Sequence, residues 1–231
     1  MKRLVLISLV LLTALLLSSC IGGSSAARGG TSWPGLAADS EHVYLADGTY
    51  IYAVNLKTGI EAWRFPAKAD SKVQFFAPPV LTDDGQLLAG SEGSTHPLYS
   101  LDPATGKEKW TAPFTGADDR WLASPLVHEN MIYAPNADGF LYLLDMEGKL
   151  VDKIDLGGPL WSSPVTDGKM IYIASLDHHF HAIDIATRKI SQTIELAGAS
   201  PGGLTPGKGE IYFGSFSKKL EVISDGEQKS L

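Results

Sequence analysis

The sequence predicts an all-β fold, a β-propeller of four-stranded antiparallel blades built from about five repeats. Three observations point there. A unit of about 40 residues recurs five times and fills nearly everything after residue 33. Within each unit, short runs of β-branched and aromatic residues are bounded by Gly, Pro, Asn and Asp, the signals of strands and hairpins. No stretch beyond residue 33 sustains a helical period. Four short antiparallel strands in such a unit make one blade.

Each element follows from the repeat. Ile132 to Asp145 aligns without a gap on Ile171 to Asp184, an offset of 39 residues at Tyr133 and Tyr172, and Ile211 to Ser224 keeps the same internal spacing. A Ser-Pro strand opens the unit (Ser124-Pro125-Leu126-Val127, Ser163-Pro164-Val165), and a polar turn such as His128-Glu129-Asn130 follows. The second strand carries Tyr44, Tyr133, Tyr172 or Tyr212 at one position, where an aromatic ring is expected to pack blade against blade. The third strand is Ile51–Val54, Leu98–Leu101, Leu141–Leu144, Phe180–Ile183 or Leu220–Ile223. An Asp or Asn turn, often with Thr-Gly, leads to a fourth: Glu61–Arg64, Glu108–Thr111, Val151–Ile154 or Ser191–Ile194. The fifth unit has little chain left for a fourth strand. Five blades form either a small closed ring or an open set whose free edge must be covered, since an exposed strand edge invites pairing. A closed or nearly closed ring is the expectation.

The wording of the blade narrows the class. Leu98-Tyr99-Ser100-Leu101-Asp102-Pro103-Ala104-Thr105-Gly106-Lys107-Glu108-Lys109-Trp110 resembles the PQQ-like propeller repeat, and Ile51 to Trp63 matches nearly as well. Units three and four keep Asp145 and Asp184 but place Ile154 and Ile194 near the Trp position. The resemblance runs over about residues 33 to 224 and implies the propeller fold. The family includes quinoprotein dehydrogenases, lipoproteins of outer-membrane assembly machinery and other surface proteins, and its propellers usually have more blades than the five countable here.

The N-terminal segment reads as an address. Lys2 and Arg3 precede an apolar run, Leu4 to Leu17, that is short for a membrane span. The string Leu17-Ser18-Ser19-Cys20 resembles a bacterial lipobox, so residues 1–19 are expected to be a lipoprotein signal peptide and Cys20 the lipidated N-terminus. Residues 20–32 then form a flexible, Gly/Ser-rich tether, and 33–231 the propeller domain. The expected location is outside the cytoplasm, anchored to the cell membrane or outer membrane through acylated Cys20. Cys20 is the only cysteine, which excludes a disulfide, a Cys-ligated metal and a Cys nucleophile from the processed chain. A net charge of −7, more negative once Lys2 and Arg3 are removed, argues against nucleic acid as a partner.

Candidate chemistry is sparse. Asp177-His178-His179-Phe180-His181 holds three of the six histidines, and His179 and His181 share a strand face at a spacing that suits a metal. Against that, His178 replaces a turn Gly and His181 an aromatic, so no metal site is expected. Trp33, Trp121 and Trp161 precede the inner strands and are expected near one mouth of the ring, Trp121 behind the charged loop Asp118-Asp119-Arg120. Trp is frequent at binding hot spots, which makes these six residues the candidate surface for a protein or peptide partner. They compete with the reading of the indoles as wedges between blades. A quinone-dependent dehydrogenase, or its remnant, is the competing class. The resemblance implies a quinone sandwiched between a Trp and a disulfide of adjacent cysteines, beside a Ca²⁺ and an Asp base. This chain has no cysteine pair and no transferable ligand set, so neither an enzyme nor a bound quinone is expected.

Overall fold

The computed structural model describes residues 34–224 and 226–230. The leader, Cys20, the tether and Trp33 lie outside the described residues, so those expectations are not addressed by it. Every element among the described residues is a strand. The first sheet has β1 (Gly35–Ala38), β2 (His42–Asp47), β3 (Tyr50–Asn55) and β4 (Glu61–Phe65) in that spatial order. The second has three strands, β5 (Val80–Leu81), β6 (Leu87–Gly90) and β7 (Leu98–Leu101). The third holds β8 (Leu126–His128), β9 (Met131–Pro135), β10 (Phe140–Asp145) and β11 (Leu150–Asp155). The fourth has β12 (Val165–Thr166), β13 (Met170–Ala174), β14 (His179–Asp184) and β15 (Lys189–Glu195). The fifth has β16 (Thr205–Pro206), β17 (Glu210–Gly214), β18 (Leu220–Ser224) and β19 (Glu227–Ser230). Each is an antiparallel meander. Two-residue turns do the connecting where they can: Glu129 and Asn130 both take positive φ, 48° and 60°, the geometry that matches strand twist between β8 and β9.

Strand alternation sorts each middle sheet into two buried faces. In the third, Ile132, Ala134, Tyr142 and Leu144 pack with Leu88, Leu98 and Trp121 towards the second sheet. The intervening Tyr133, Leu141, Leu143 and Ile154 pack with Leu160, Ile171 and Ile173 towards the fourth. The same arrangement joins the first sheet to the second and the fourth to the fifth. Four apolar cores therefore join neighbouring sheets. Among the described residues, none joins the fifth to the first. Tyr44 and Tyr133 are buried in these cores, and Tyr172 is partly buried in the last of them, as expected for that position.

A second device locks neighbours at the turn after the third strand in the second, third and fifth sheets. Asp102 Oδ1 accepts from the N–H groups of Ala104 (3.0 Å) and Thr105 (2.9 Å) and from Thr105 Oγ1 (3.0 Å), and Asn55 does the same work in the first sheet. The turn closes on Gly106 at φ 68°. Trp63 of the preceding sheet then donates to Pro103 O at 2.9 Å and lies so close that a Cβ on Gly106 would sit 2.5 Å from its ring. Trp110 repeats this on Met146 O (2.8 Å) and Gly148.

Three sequence expectations need correction. The register pairs Ala53 with Trp63, and the equivalent partners are Asp152 and Gln192, not Ile154 and Ile194. Gln192 serves as the Trp does: its side-chain amide donates to Gly226 O at 2.7 Å. The fourth strand expected at Glu108–Thr111 is reduced to bridges Leu101↔Glu108 and Leu98↔Phe114. Pro113, with no N–H to give, lies between them. The fifth sheet, conversely, is complete, because β19 pairs with β18 over Glu227–Ser230.

Candidate functional site

The linkers between sheets and the hairpins after each second strand are stitched into one belt by backbone hydrogen bonds. Ala137 N–H donates to Arg120 O (3.0 Å), Leu160 to Asn136 O (3.2 Å), Leu176 to Pro159 O (2.9 Å), Leu196 to His178 O (2.7 Å) and Phe216 to Ala199 O (2.9 Å). Side chains tighten it. Asn136 is buried and donates to Asp119 O at 2.8 Å, while Asp138 accepts from Asp118 N–H (3.0 Å) and from the Tyr142 hydroxyl (2.6 Å). Gly158 passes so close to Asp177 that a Cβ there would overlap the carboxylate.

The Asp118-Asp119-Arg120 loop is thus held by its main chain, and its charges are left at the surface. Asp118 is exposed, and Asp119 and Arg120 pair at 3.2 Å with both side chains partly open to solvent. Asp155 and Asp177 add exposed carboxylates further along the belt. Its displayed chemistry is acidic, with Arg120 as a cation among the carboxylates. Preorganised charge of this kind steers and orients a partner more than it holds one.

The tryptophans separate. Trp121 is 1 % exposed, stands edge-on to Tyr142, donates Nε1 to His96 O at 2.8 Å and presses on Gly90. It is an inter-sheet wedge and offers no surface to a partner. Its counterpart one unit later is Leu160, wholly buried in the next core, whereas Trp161 is one residue out of step and partly exposed. In extended chain that single step swaps faces, so distance from the Ser-Pro pair alone misled the alignment. The residues that the sequence reading passed over are Asn136 and Asp138. Their equivalence to Ser175 and Asp177 was the available signal.

The histidines follow the repeat. His178 stands at φ 70° where the third sheet has Gly139 at 92°. His181 fills the Tyr142 slot, buried, with Nδ1 3.2 Å from Thr193 Oγ1 and Nε2 without a hydrogen-bond partner. Burial lowers its pKa against the pull of the Asp177 carboxylate. Partial burial would raise Asp177, but hydrogen bonds from Ser175 and from His179 (3.2 Å) hold it below the ordinary range. No group of three or more His, Cys, Asp or Glu among the described residues is arranged to hold a metal. A depression of about 500 Å³ lies beside Gln86, Lys109, Trp110 and Met146 and includes none of the predicted residues.

Antiparallel sheets at this period, joined face to face and locked by the Trp-on-turn contact, define a β-propeller of PQQ-like repeats. A family profile described as outer membrane protein assembly factor BamB matches residues 46–149 and, in a second placement, 99–215. The chain belongs to that family. BamB from Moraxella catarrhalis superimposes with a TM-score of 0.68 at 19% identity, over 84% of this chain and 58% of that one. The serine/threonine-protein kinase AfsK of Streptomyces griseus is 36% identical over 90 residues, 38% of this chain and 11% of the kinase. The chain therefore spans little more than half of the one and about a tenth of the other.

Proposed function

We propose that the protein is a non-catalytic propeller scaffold of the cell envelope, held to a membrane by lipid on Cys20, that captures a protein or peptide partner with its charged belt. The finer architecture in this reading is five blades. The observation that carries it is the Asp118–Arg120 loop, whose main chain is tied to Asn136, Ala137 and Asp138 while its charges face solvent. A surface ordered in advance loses little entropy on binding. Family membership supports a role in outer-membrane protein assembly. The lipobox string supports the anchor, and the donor set supports the absence of quinone chemistry.

The test is crosslinking in membranes, comparing wild type with the double variant Asp119→Ala, Arg120→Ala. Its crosslinks to partner proteins should fall several-fold while its melting curve is unchanged, because the altered side chains are partly exposed. Unchanged crosslinks would remove the belt from the reading. Quinone-dependent oxidation of an alcohol or sugar by the wild type would overturn the scaffold itself.

A further inference from the structure

The joint between the fourth and fifth sheets is built differently from the other three. In the first joint the Trp63 ring lies 5.9 Å from the Tyr44 ring, and the Tyr44 hydroxyl donates to Pro103 O at 3.2 Å; Tyr44 is wholly buried. One cover is thus an indole from a fourth strand, and the other is the turn after the third strand of the next sheet. The second joint has both, in Trp110 and Met146. The third has Asp152 in the indole register but keeps Ile185 of the turn, and Tyr133 is 4% exposed. Among the described residues, the fourth joint has neither. Gln192, smaller than an indole, stands in the Trp63 register, paired with Ala182. The turn closed by the Ser224–Glu227 pair holds two residues, where the turn from Asp102 to Lys107 holds four. Tyr172, the counterpart of Tyr44, is left partly exposed.

A groove of about 280 Å³ opens in their place. Its floor is Met170, Tyr172, Phe180, Ala182, Ile211 and Ile223, apolar surface that includes two aromatic rings. Its rim carries two carboxylates. Asp167 accepts from the N–H groups of Lys169 and Met170, both at 2.8 Å, and from the Tyr172 hydroxyl at 2.9 Å. Glu210 accepts from the Tyr212 hydroxyl. Partial burial would raise the Asp167 pKa, but its hydrogen bonds hold it below the ordinary range, so it is charged at neutral pH. No lysine or arginine is among the described residues that line the groove. Lys169 and Lys208, next to its rim in sequence, are exposed outside it.

We propose that this groove binds a small organic cation, a protonated amine carried on an apolar body. The floor buries an apolar body, which an inorganic cation lacks, and its aromatic rings attract positive charge. The two carboxylates, unbalanced by a basic lining residue, favour a cation and repel an anion. The opening arises within the joint itself, from Gln192 and the short turn. The groove is separate from the belt: Asp167 precedes β13, and the belt hairpin follows that strand's other end. The proposal therefore does not rest on the envelope role.

The experiment is equilibrium dialysis of the full-length chain in non-ionic micelles against labelled 2-phenylethylamine, with empty micelles as the blank. Wild type should bind the amine saturably. The neutral 2-phenylethanol and the anionic 3-phenylpropionate, of similar size, should bind about tenfold or more weakly. Asp167→Asn combined with Glu210→Gln removes the charge and keeps the shape, and should weaken the amine about tenfold. Gln192→Trp returns an indole to the Trp63 register and should abolish binding by filling the groove. Melting curves at or above wild type show that the variants fold. No saturable binding of the amine, equal binding of the alcohol, or undiminished binding by the charge variant or by Gln192→Trp would each overturn the proposal. Binding of an arginine-bearing peptide without binding of the free amine would also overturn it, and would give the groove to a side chain of a protein partner.

Discussion

At the scale of single residues, the fourth unit shows what the repeat does when a Tyr becomes a His. Tyr142 is buried with its hydroxyl on Asp138; burial and that carboxylate both raise its pKa, so it stays neutral. His181 sits in the same slot near Asp177 and has a buried Nε2 with no partner. Its folded pKa lies below the ordinary 6.5. Above that value both states hold the neutral ring and nothing is lost. As pH falls through it, the unfolded chain takes the proton first, and stability drops until the lowered folded pKa is reached. Asp177 contributes only at lower pH: its folded pKa lies below 3.8, so its stabilisation is lost beneath that value. The window below 6.5 therefore belongs to the imidazole, faced by Asp177, His179 and Thr193. His181→Tyr should restore the third-sheet arrangement, raise the melting point and flatten its fall between about pH 7.5 and 5. Parallel melting-versus-pH curves for both proteins would show that His181 is not the source.

At the scale of elements, the Thr-Gly turn does two jobs, and the chain separates them. Gly59 and Gly106 share the left-handed geometry, φ 66° and 68°, but only Gly106 lies beneath a neighbour's indole. Gly59→Ala should cost about 1 kcal/mol, the backbone strain alone. Gly106→Ala should cost that plus about 1–3 kcal/mol for displacing Trp63. Chemical denaturation of the two variants measures the difference. Equal losses would mean that the indole yields freely and locks nothing. The turn itself was legible in the Asp102-Pro103-Ala104-Thr105-Gly106 string. What rests upon it was not, because Trp63 and Gly106 belong to different sheets and no local pattern pairs them.

At the scale of the whole molecule, stability follows nearest neighbours. Among the described residues, the second, third and fourth sheets are covered on both faces, the first and fifth on one. A large apolar side chain left uncovered forgoes about 1.5–3 kcal/mol. Hydrogen exchange should therefore be faster in β2 and β17 than in β9, graded from both ends. Uniform protection across all five sheets would show a single cooperative unit.

The sequence by itself determined the repeat, its strands and its turns, because these follow from alternation and from residue types within a few positions of one another. It also carried the family resemblance, which the profile match and the shared fold bear out. Only the tertiary structure decided which indole is core and which is surface. Trp121 and Trp161 stand at nearly the same distance from a Ser-Pro pair, and their fates differ by one step of an extended chain between two sheets. It alone decided, too, that the Asp118–Arg120 loop is ordered, since its bonds run to a hairpin many residues further on. Which faces are covered among the described residues was likewise beyond the sequence: every unit spells both faces of a blade, and whether a face is covered depends on what stands beside it.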